Sequence, residues 1–221
     1  MNWIPWMSGV LMNKLKLTEG LLLVVFYLAI FSACIAITIN FRGLYYYFVW
    51  HQDLGSKVGL SNHQLITTYQ RLLAYLNYPW VQQLDLGLPT SFNAMHHFTE
   101  VKALFFKNYL ILATSFPVSC WWLKGLWQKR RLFILITPCY YLLSLGVVVL
   151  TLMVTNFNKF FVTFHRLLFA NDDWLFDPKL DPIINALPAS YFLAAFSLFI
   201  LLVFISLVGI IGIARYQLKH L

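Results

Sequence analysis

Four apolar stretches, each about as long as a bilayer is thick, dominate this chain: Leu17–Phe41, Ala103–Leu123, Leu132–Thr155 and Ala189–Ala214. An α-helix crosses the hydrocarbon core in about 20 residues, so each stretch is long enough to span. Only two charges, Glu19 and Lys107, fall within them, and both lie near an end. Sixty per cent of the 221 residues are hydrophobic, and mean hydropathy is +0.70. A soluble domain of this size could not hide that much apolar surface. The expectation is an all-α membrane protein with four transmembrane helices, forming a single integral membrane domain over 1–221. Two long connections, 42–102 and 156–188, are expected to be structured loops. No segment repeats another, which argues against an inverted-repeat transporter.

The net charge of +8 could suggest nucleic acid, but its placement argues against that. Lys14, Lys16, Lys124, Lys129, Arg130, Arg131, Arg215 and Lys219 crowd into three short segments: the N-terminus, the link between the second and third stretches, and the C-terminus. Glu19 is the only acid near them. The two long loops hold seven other bases, balanced by Asp53, Asp85, Glu100, Asp172, Asp173, Asp177 and Asp181. Short basic segments stay cytoplasmic. Both termini and Lys124–Arg131 are therefore expected inside, with both long loops outside. The basic excess then meets anionic lipid headgroups, and Lys107 can snorkel outward. Cys34, Cys120 and Cys139 all fall within spans, where thiols pack rather than form a disulfide framework. Phe31-Ser32-Ala33-Cys34 faintly resembles a lipoprotein cleavage site, but the apolar run continues beyond it.

The first outer loop is too long for a plain connector. Ser61 followed by Gln64 suggests a capping box, and Leu65, Ile66, Tyr69, Leu72, Leu73 and Leu76 then recur at helical spacing. Tyr78-Pro79 ends that helix. Leu86-Gly87-Leu88-Pro89 suggests a turn, after which Thr90 or Ser91 can cap a second helix running through His96, His97 and Glu100 into the second span. The second outer loop interleaves aromatic and acidic residues from Phe164 to Pro178. An interfacial aromatic belt explains Trp174; it does not explain four acids beside the membrane.

Five of the six histidines lie in these loops. His51 and His63 lack partner patterns and are expected at the surface. His97 and Glu100 are three apart and share a helix face, so the carboxylate could fix the imidazole's tautomer and raise its basicity. His96 is four from Glu100 and is expected as a surface histidine paired with an acid. Lys102 beyond it can snorkel. His165 comes from the other loop, and two imidazoles from separate loops could meet over one bundle mouth. His96, His97, His165 and an acid could supply metal ligands, but no His-Glu-x-x-His or Cys pair is present. Adjacent helical histidines also diverge by about 100°. No Gly-x-Ser-x-Gly elbow supports a serine hydrolase.

The run His97-Phe98-Thr99-Glu100-Val101-Lys102 resembles the His-x-x-Asp-Val-Lys element of the bacterial lipoprotein intramolecular transacylases. Phe164-His165, with Phe169, Trp174, Asp177-Pro178 and Pro188, resembles that family's second element. The helix through Tyr75-Leu76, the four spans and the loop lengths are similar too. Glu100 in place of Asp and the extra His96 depart from the pattern. The resemblance implies transfer of the sn-2 acyl chain of a diacylglyceryl-cysteine lipoprotein to that cysteine's own α-amino group, giving the lyso-form, in a bacterial cell membrane. It also implies that His97 and His165 are catalytic. The expected partners are a diacylated lipoprotein and membrane lipid, with no nucleic acid.

The chemistry such transfer needs is modest. An α-ammonium with pKa near 7.7–8.0 must lose a proton before attack, and a histidine is suited to take it. No protein nucleophile, cofactor, ATP or metal is then needed. His97 is expected as general base oriented by Glu100, with His165 at the oxyanion or leaving oxygen, and the two roles are exchangeable. Asn171, Trp174 and Asp177 are expected to shape the site. Two alternatives remain open on residues alone: a metal-dependent membrane hydrolase, and a non-enzymatic membrane partner protein.

Overall fold

The computed structural model describes residues 5–220, with side chains from residue 17 onward. The side chains of Lys14 and Lys16 therefore lie outside the described part. Among the described residues there are seven α-helices and no strand: α1 (Pro5–Asn40), α2 (Arg42–His51), α3 (Asn62–Asn77), α4 (Phe92–Gln128), α5 (Ile136–Thr155), α6 (Phe157–Leu168) and α7 (Ala189–Lys219). Short 3-10 turns lie at Ser56–Val58, Leu132–Leu135 and Pro182–Ala186. The four apolar stretches fall in α1, α4, α5 with its preceding turn, and α7, each long and apolar enough to cross a membrane. This is a multi-pass membrane protein.

In the bundle, α1 lies against α4 and α7, and α7 against α5. Its interior holds Phe26, Cys34, Trp122, Cys139, Val203 and Leu207. Outward, Leu21, Leu110, Leu145 and Ile205 are each more than half exposed. A surface so apolar is covered by lipid tails, not water. Cys34 and Cys139 pack inside as expected, and Cys120 is exposed. Gly146 sets the approach of α5 to α7, because a Cβ there would lie 2.3 Å from Cε1 of Phe204.

The two ends of the bundle differ. At one end, Arg131 grips Glu19 through two bonds of 2.8 and 3.3 Å, which accounts for an acid at the edge of a span. Gln217 of α7 accepts from the Leu132 amide at 3.1 Å and donates to the Trp127 carbonyl at 3.0 Å. This is the basic end, and it receives both described chain ends.

The opposite end carries a cap with its own apolar core of Tyr45, Leu65, Tyr69, Leu72, Leu76 and Ile183, among others. Helix α3 starts on the expected capping box: the Gln64 amide donates to Ser61 Oγ at 3.2 Å, and the Ser61 amide to Gln64 Oε1 at 2.8 Å. Its periodic residues, Leu65, Tyr69, Leu72, Leu73 and Leu76, are buried. Gly87, at φ +64, makes the expected turn, where its left-handed backbone suits a residue without Cβ. Ser91, rather than Thr90, caps α4, accepting from the Ala94 amide at 3.1 Å. Tyr45 of α2 donates to the Ala186 carbonyl at 3.0 Å, tying the two loop segments together.

Two segments differ from the sequence expectation. The first loop begins as helix α2 after a break at Phe41, and the second begins as α6. Helix α6 opens on Asn156, whose side chain accepts from the Lys159 amide at 3.0 Å. Phe157, Phe160, Phe161 and Phe164 then repeat at helical spacing. That aromatic stripe with Lys159 and Arg166 is an interfacial amphipathic helix.

Candidate active site

Helix α4 runs 37 residues, roughly 55 Å at 1.5 Å per residue, while the hydrocarbon core is only about 30 Å thick. Its first ten or so residues project past the lipid into the cap, and His97 sits there. His165 sits near the end of α6, on the surface helix. The fold brings these two rings to a centroid distance of 5.9 Å at an interplanar angle of 38°. Both are buried, with His97 8% and His165 9% exposed.

Aromatic rings enclose the pair. Phe169 lies 4.7 Å from His97, edge to face, and Phe176 lies 5.6 Å away. Trp174 tilts over His165 at 4.9 Å, and Phe161 lies at 4.0 Å from it. The two imidazoles are bonded differently. His165 Nδ1 lies 2.8 Å from the Phe161 carbonyl. A carbonyl only accepts, so Nδ1 carries the proton and the neutral ring's lone pair is on Nε2. His97 Nδ1 is buried and has no hydrogen-bond partner among the described residues. Burial pushes both imidazoles below the ordinary histidine range. The neighbouring His165 pushes His97 further down, and the bond to Phe161 works against the shift of His165. Both rings are therefore neutral at neutral pH.

A model of the family of lipoprotein intramolecular transacylases matches residues 20–192. The chain belongs to this family. Its fold is similar to the membrane-integral lipoprotein intramolecular transacylase Lit of Bacillus cereus, with TM-score 0.87 and 25% identity over 93% of this chain and 96% of that one. A variant of the same Bacillus cereus protein, with one histidine replaced by alanine, matches with TM-score 0.78 and 26% identity over 95% and 97% of the two chains. No curated protein matches the chain.

The transacylase departs from the sequence expectation at several supporting residues. Glu100 does not hold His97. Its Oε1 accepts from Asn171 Nδ2 at 3.0 Å, and its buried Oε2 has no partner among the described residues. Two side chains three apart on a helix share a face, but the second loop arrives between them and takes the carboxylate. His96 pairs with an acid as expected, but with Asp173 at 2.7 Å rather than with Glu100. Asp177 is exposed and touches neither ring; it accepts from the Lys179 amide at 2.9 Å and so shapes the turn toward Asp181. Lys102 does not snorkel: it donates to the Val81 carbonyl and lies 4.2 Å over the Tyr75 ring. His51 and His63 are exposed, as expected.

Asn171 and Trp174 do lie at the site. Beyond its bond to Glu100, Asn171 accepts from the Asp173 amide on Oδ1 at 3.1 Å, and from Trp174 Nε1 on its carbonyl at 3.0 Å. One residue thus ties α4, the loop and the indole over His165 together. Sequence reasoning missed Asp181, which is 2% exposed. It accepts from the Ser91 amide at 2.6 Å and from Ser91 Oγ at 2.9 Å, stapling the second loop to the start of α4. Its position eight residues before the long span that starts at Ala189 was the available signal. Among the described residues, no three His, Cys, Asp or Glu side chains gather as a metal-ligand set.

Proposed function

We propose that this transacylase moves the sn-2 acyl chain of a diacylglyceryl lipoprotein to the α-amino group of the same N-terminal cysteine, at the outer face of a bacterial cell membrane. The observation that carries the proposal is the pair of buried imidazoles, 5.9 Å apart, delivered by two separate segments of the cap. Short basic segments are retained in the cytoplasm, which puts the basic end and both termini inside and the histidine end outside.

His97 and His165 are assigned as the catalytic residues, and their bonding suggests how the roles divide. With Nδ1–H committed to Phe161, the Nε2 lone pair of His165 is the base. His97 has no acceptor for a proton on Nδ1, and an orphaned buried N–H is costly. Its proton is therefore on Nε2, where it can donate to the ester oxygen. The amine nitrogen attacks the ester carbonyl, a C–N bond forms, and the bond between the acyl carbon and the oxygen on glycerol C2 breaks. His165 takes the proton lost by the attacking nitrogen and passes it to the departing oxygen, which ends as the hydroxyl of the lyso-form, while His97 keeps its Nε2 proton and donates a hydrogen bond to that oxygen. Tethering amine and ester on one molecule removes up to roughly 7–11 kcal/mol of barrier, so no protein nucleophile is needed.

A cleft of about 260 Å³ is lined by Phe157, Phe161, Ile184, Leu187, Pro188 and Phe192, among others; neither histidine lines it, but the Phe161 ring lies 4.0 Å from His165. The cleft offers the substrate's acyl chains an apolar berth at the lipid boundary. The test is mass spectrometry of a reporter lipoprotein's N-terminal peptide, in cells that make no lyso-form of their own. Wild type should convert the reporter, while His97→Ala and His165→Ala, still folded by circular dichroism, should not. Undiminished lyso-form from either variant removes that histidine from the mechanism. Loss of activity on chelation would instead favour the metal-dependent hydrolase.

A further inference from the structure

The basic end of the bundle holds a feature that the proposed reaction does not use. A cavity of about 470 Å³ lies between α1, the last turns of α4 and the turn leading to α5. Trp121, Trp122 and Leu126 give it an apolar wall. Lys124 and Lys129 line it as exposed cations, and among the described residues neither side chain has a hydrogen bond or ion pair. Arg131 also lines it, but its charge is matched by the paired bonds to Glu19. Two unmatched positive charges therefore face one hollow.

The surroundings indicate what those charges meet. Trp121 is 70% exposed and Trp127 53%, at a span end where indoles mark headgroup depth. The turn is tightly built: Arg130 sits at φ +53, and the Arg131 amide donates to the Leu126 carbonyl at 2.8 Å. Its geometry is thus fixed before any ligand arrives. Basic pockets between transmembrane helices bind lipid headgroups.

We propose that this cavity binds one anionic phospholipid from the adjacent leaflet, with its phosphate between Lys124 and Lys129 and the start of its chains on Trp121. The shared chemistry is a phosphate anion, which a soluble phosphate also offers; the apolar wall favours the lipid. The orientation proposed above enters only in naming that leaflet the inner one. Binding measured in detergent does not depend on it, nor on the acyl-transfer reaction, so failure of either leaves the other standing.

Native mass spectrometry of the purified full-length protein reads the site directly. Phosphatidylglycerol, phosphatidylcholine and inorganic phosphate are titrated separately. Phosphatidylglycerol should bind at one tight site, phosphatidylcholine much more weakly, and phosphate alone not at all. Each lysine is worth about a five-fold change in affinity at a membrane surface, so Lys124→Gln with Lys129→Gln should weaken the tight site roughly 30-fold. Lys219→Gln, a cation of the same end that does not line the cavity, should leave it unchanged. Equal binding of the two lipids, or no change in the double variant, overturns the proposal. So does an equal loss in Lys219→Gln, which would mean diffuse surface charge. Tight binding of inorganic phosphate would make the ligand a soluble anion and overturn the lipid assignment.

Discussion

Asn171 offers the sharpest perturbation of the site, because it does two jobs with one side chain. Its Nδ2 donates to the Glu100 carboxylate and its Oδ1 accepts from the Asp173 amide. A hydrogen bond to a charged group contributes about 1.5–3 kcal/mol, and a neutral one about 1. Asn171→Ala therefore removes about 2.5–4 kcal/mol from docking of the second loop onto α4. That loop carries Trp174, 4.9 Å from His165, so undocking disorders the environment of the proposed base. The expected outcome is a ten- to hundredfold fall in lyso-form production, roughly the range that 1.4 kcal/mol per decade allows for a partly undocked loop. Glu100→Gln keeps an acceptor for Asn171 and loses only the charge assistance, about 1 kcal/mol; activity should fall less than tenfold. Asn171→Asp sets one carboxylate against another and should be at least as damaging as alanine. The assay is initial-rate mass spectrometry of the reporter peptide, at matched amounts of folded protein. The reasoning is refuted if Glu100→Gln is as inactive as Asn171→Ala, since the carboxylate would then act on His97 by its charge. Full activity of Asn171→Ala would refute it equally.

Four further outcomes follow from the structure. Because burial lowers both histidines, any acid limb beyond the one that the substrate's α-ammonium sets near pH 7.7–8.0 should lie below pH 6.5, and a second limb at about that ordinary histidine value would contradict the neutral pair. The same shift acts on stability: an unfolded histidine takes up a proton at a higher pH than a folded one, so stability from the neutral pair is present above about pH 6.5 and declines as pH falls toward the folded values, visible as a falling melting temperature between pH 7 and 5. Ser91→Ala removes the cap on α4 and one donor to buried Asp181, about 2–4 kcal/mol together; the melting temperature should drop by about 5–15 °C, with Ser91→Thr recovering most of it. Gly146→Val drives a Cβ into Phe204 and should cost about 1–3 kcal/mol, relieved by Phe204→Leu in the same chain, whereas equal stability of single and double variants would show that the helices simply shift.

The membrane-spanning part of the fold was legible because lipid imposes one simple demand, a long apolar run, and Leu17–Phe41 and its three counterparts meet it. The cap was legible where capping chemistry is local: Ser61 with Gln64, and Ser91, act within one turn. Helix α2 was not, since Leu44 to Trp50 is apolar nearly throughout and shows no periodic contrast; Tyr45 and Val49 are fully buried only because α3 and the Pro182–Ala186 turn pack on them. Helix α6 was overlooked for a different reason. Its signal was present in the Asn156 cap and the phenylalanines that follow, but the reading of this loop rested on the aromatic and acidic residues from Phe164 to Pro178.

At the site, the two histidines could be named from sequence but their partners could not. A spacing of three on a helix says that His97 and Glu100 face the same way, not that they touch, because a chain segment 71 positions away competes for the carboxylate. The competitor prevails for a physical reason. Asn171 offers Glu100 an amide donor, whereas His97 is set among Phe169 and Phe176. That apolar setting has a chemical consequence. A His97 paired with Glu100 would be drawn toward its protonated form, and a positive charge there would oppose the uptake of a proton by His165, 5.9 Å away. Walled by aromatic rings, both imidazoles stay neutral and His165 is left free to act as the proposed base, in apolar surroundings that disfavour the water whose attack would hydrolyse the ester instead of letting the tethered amine take the chain.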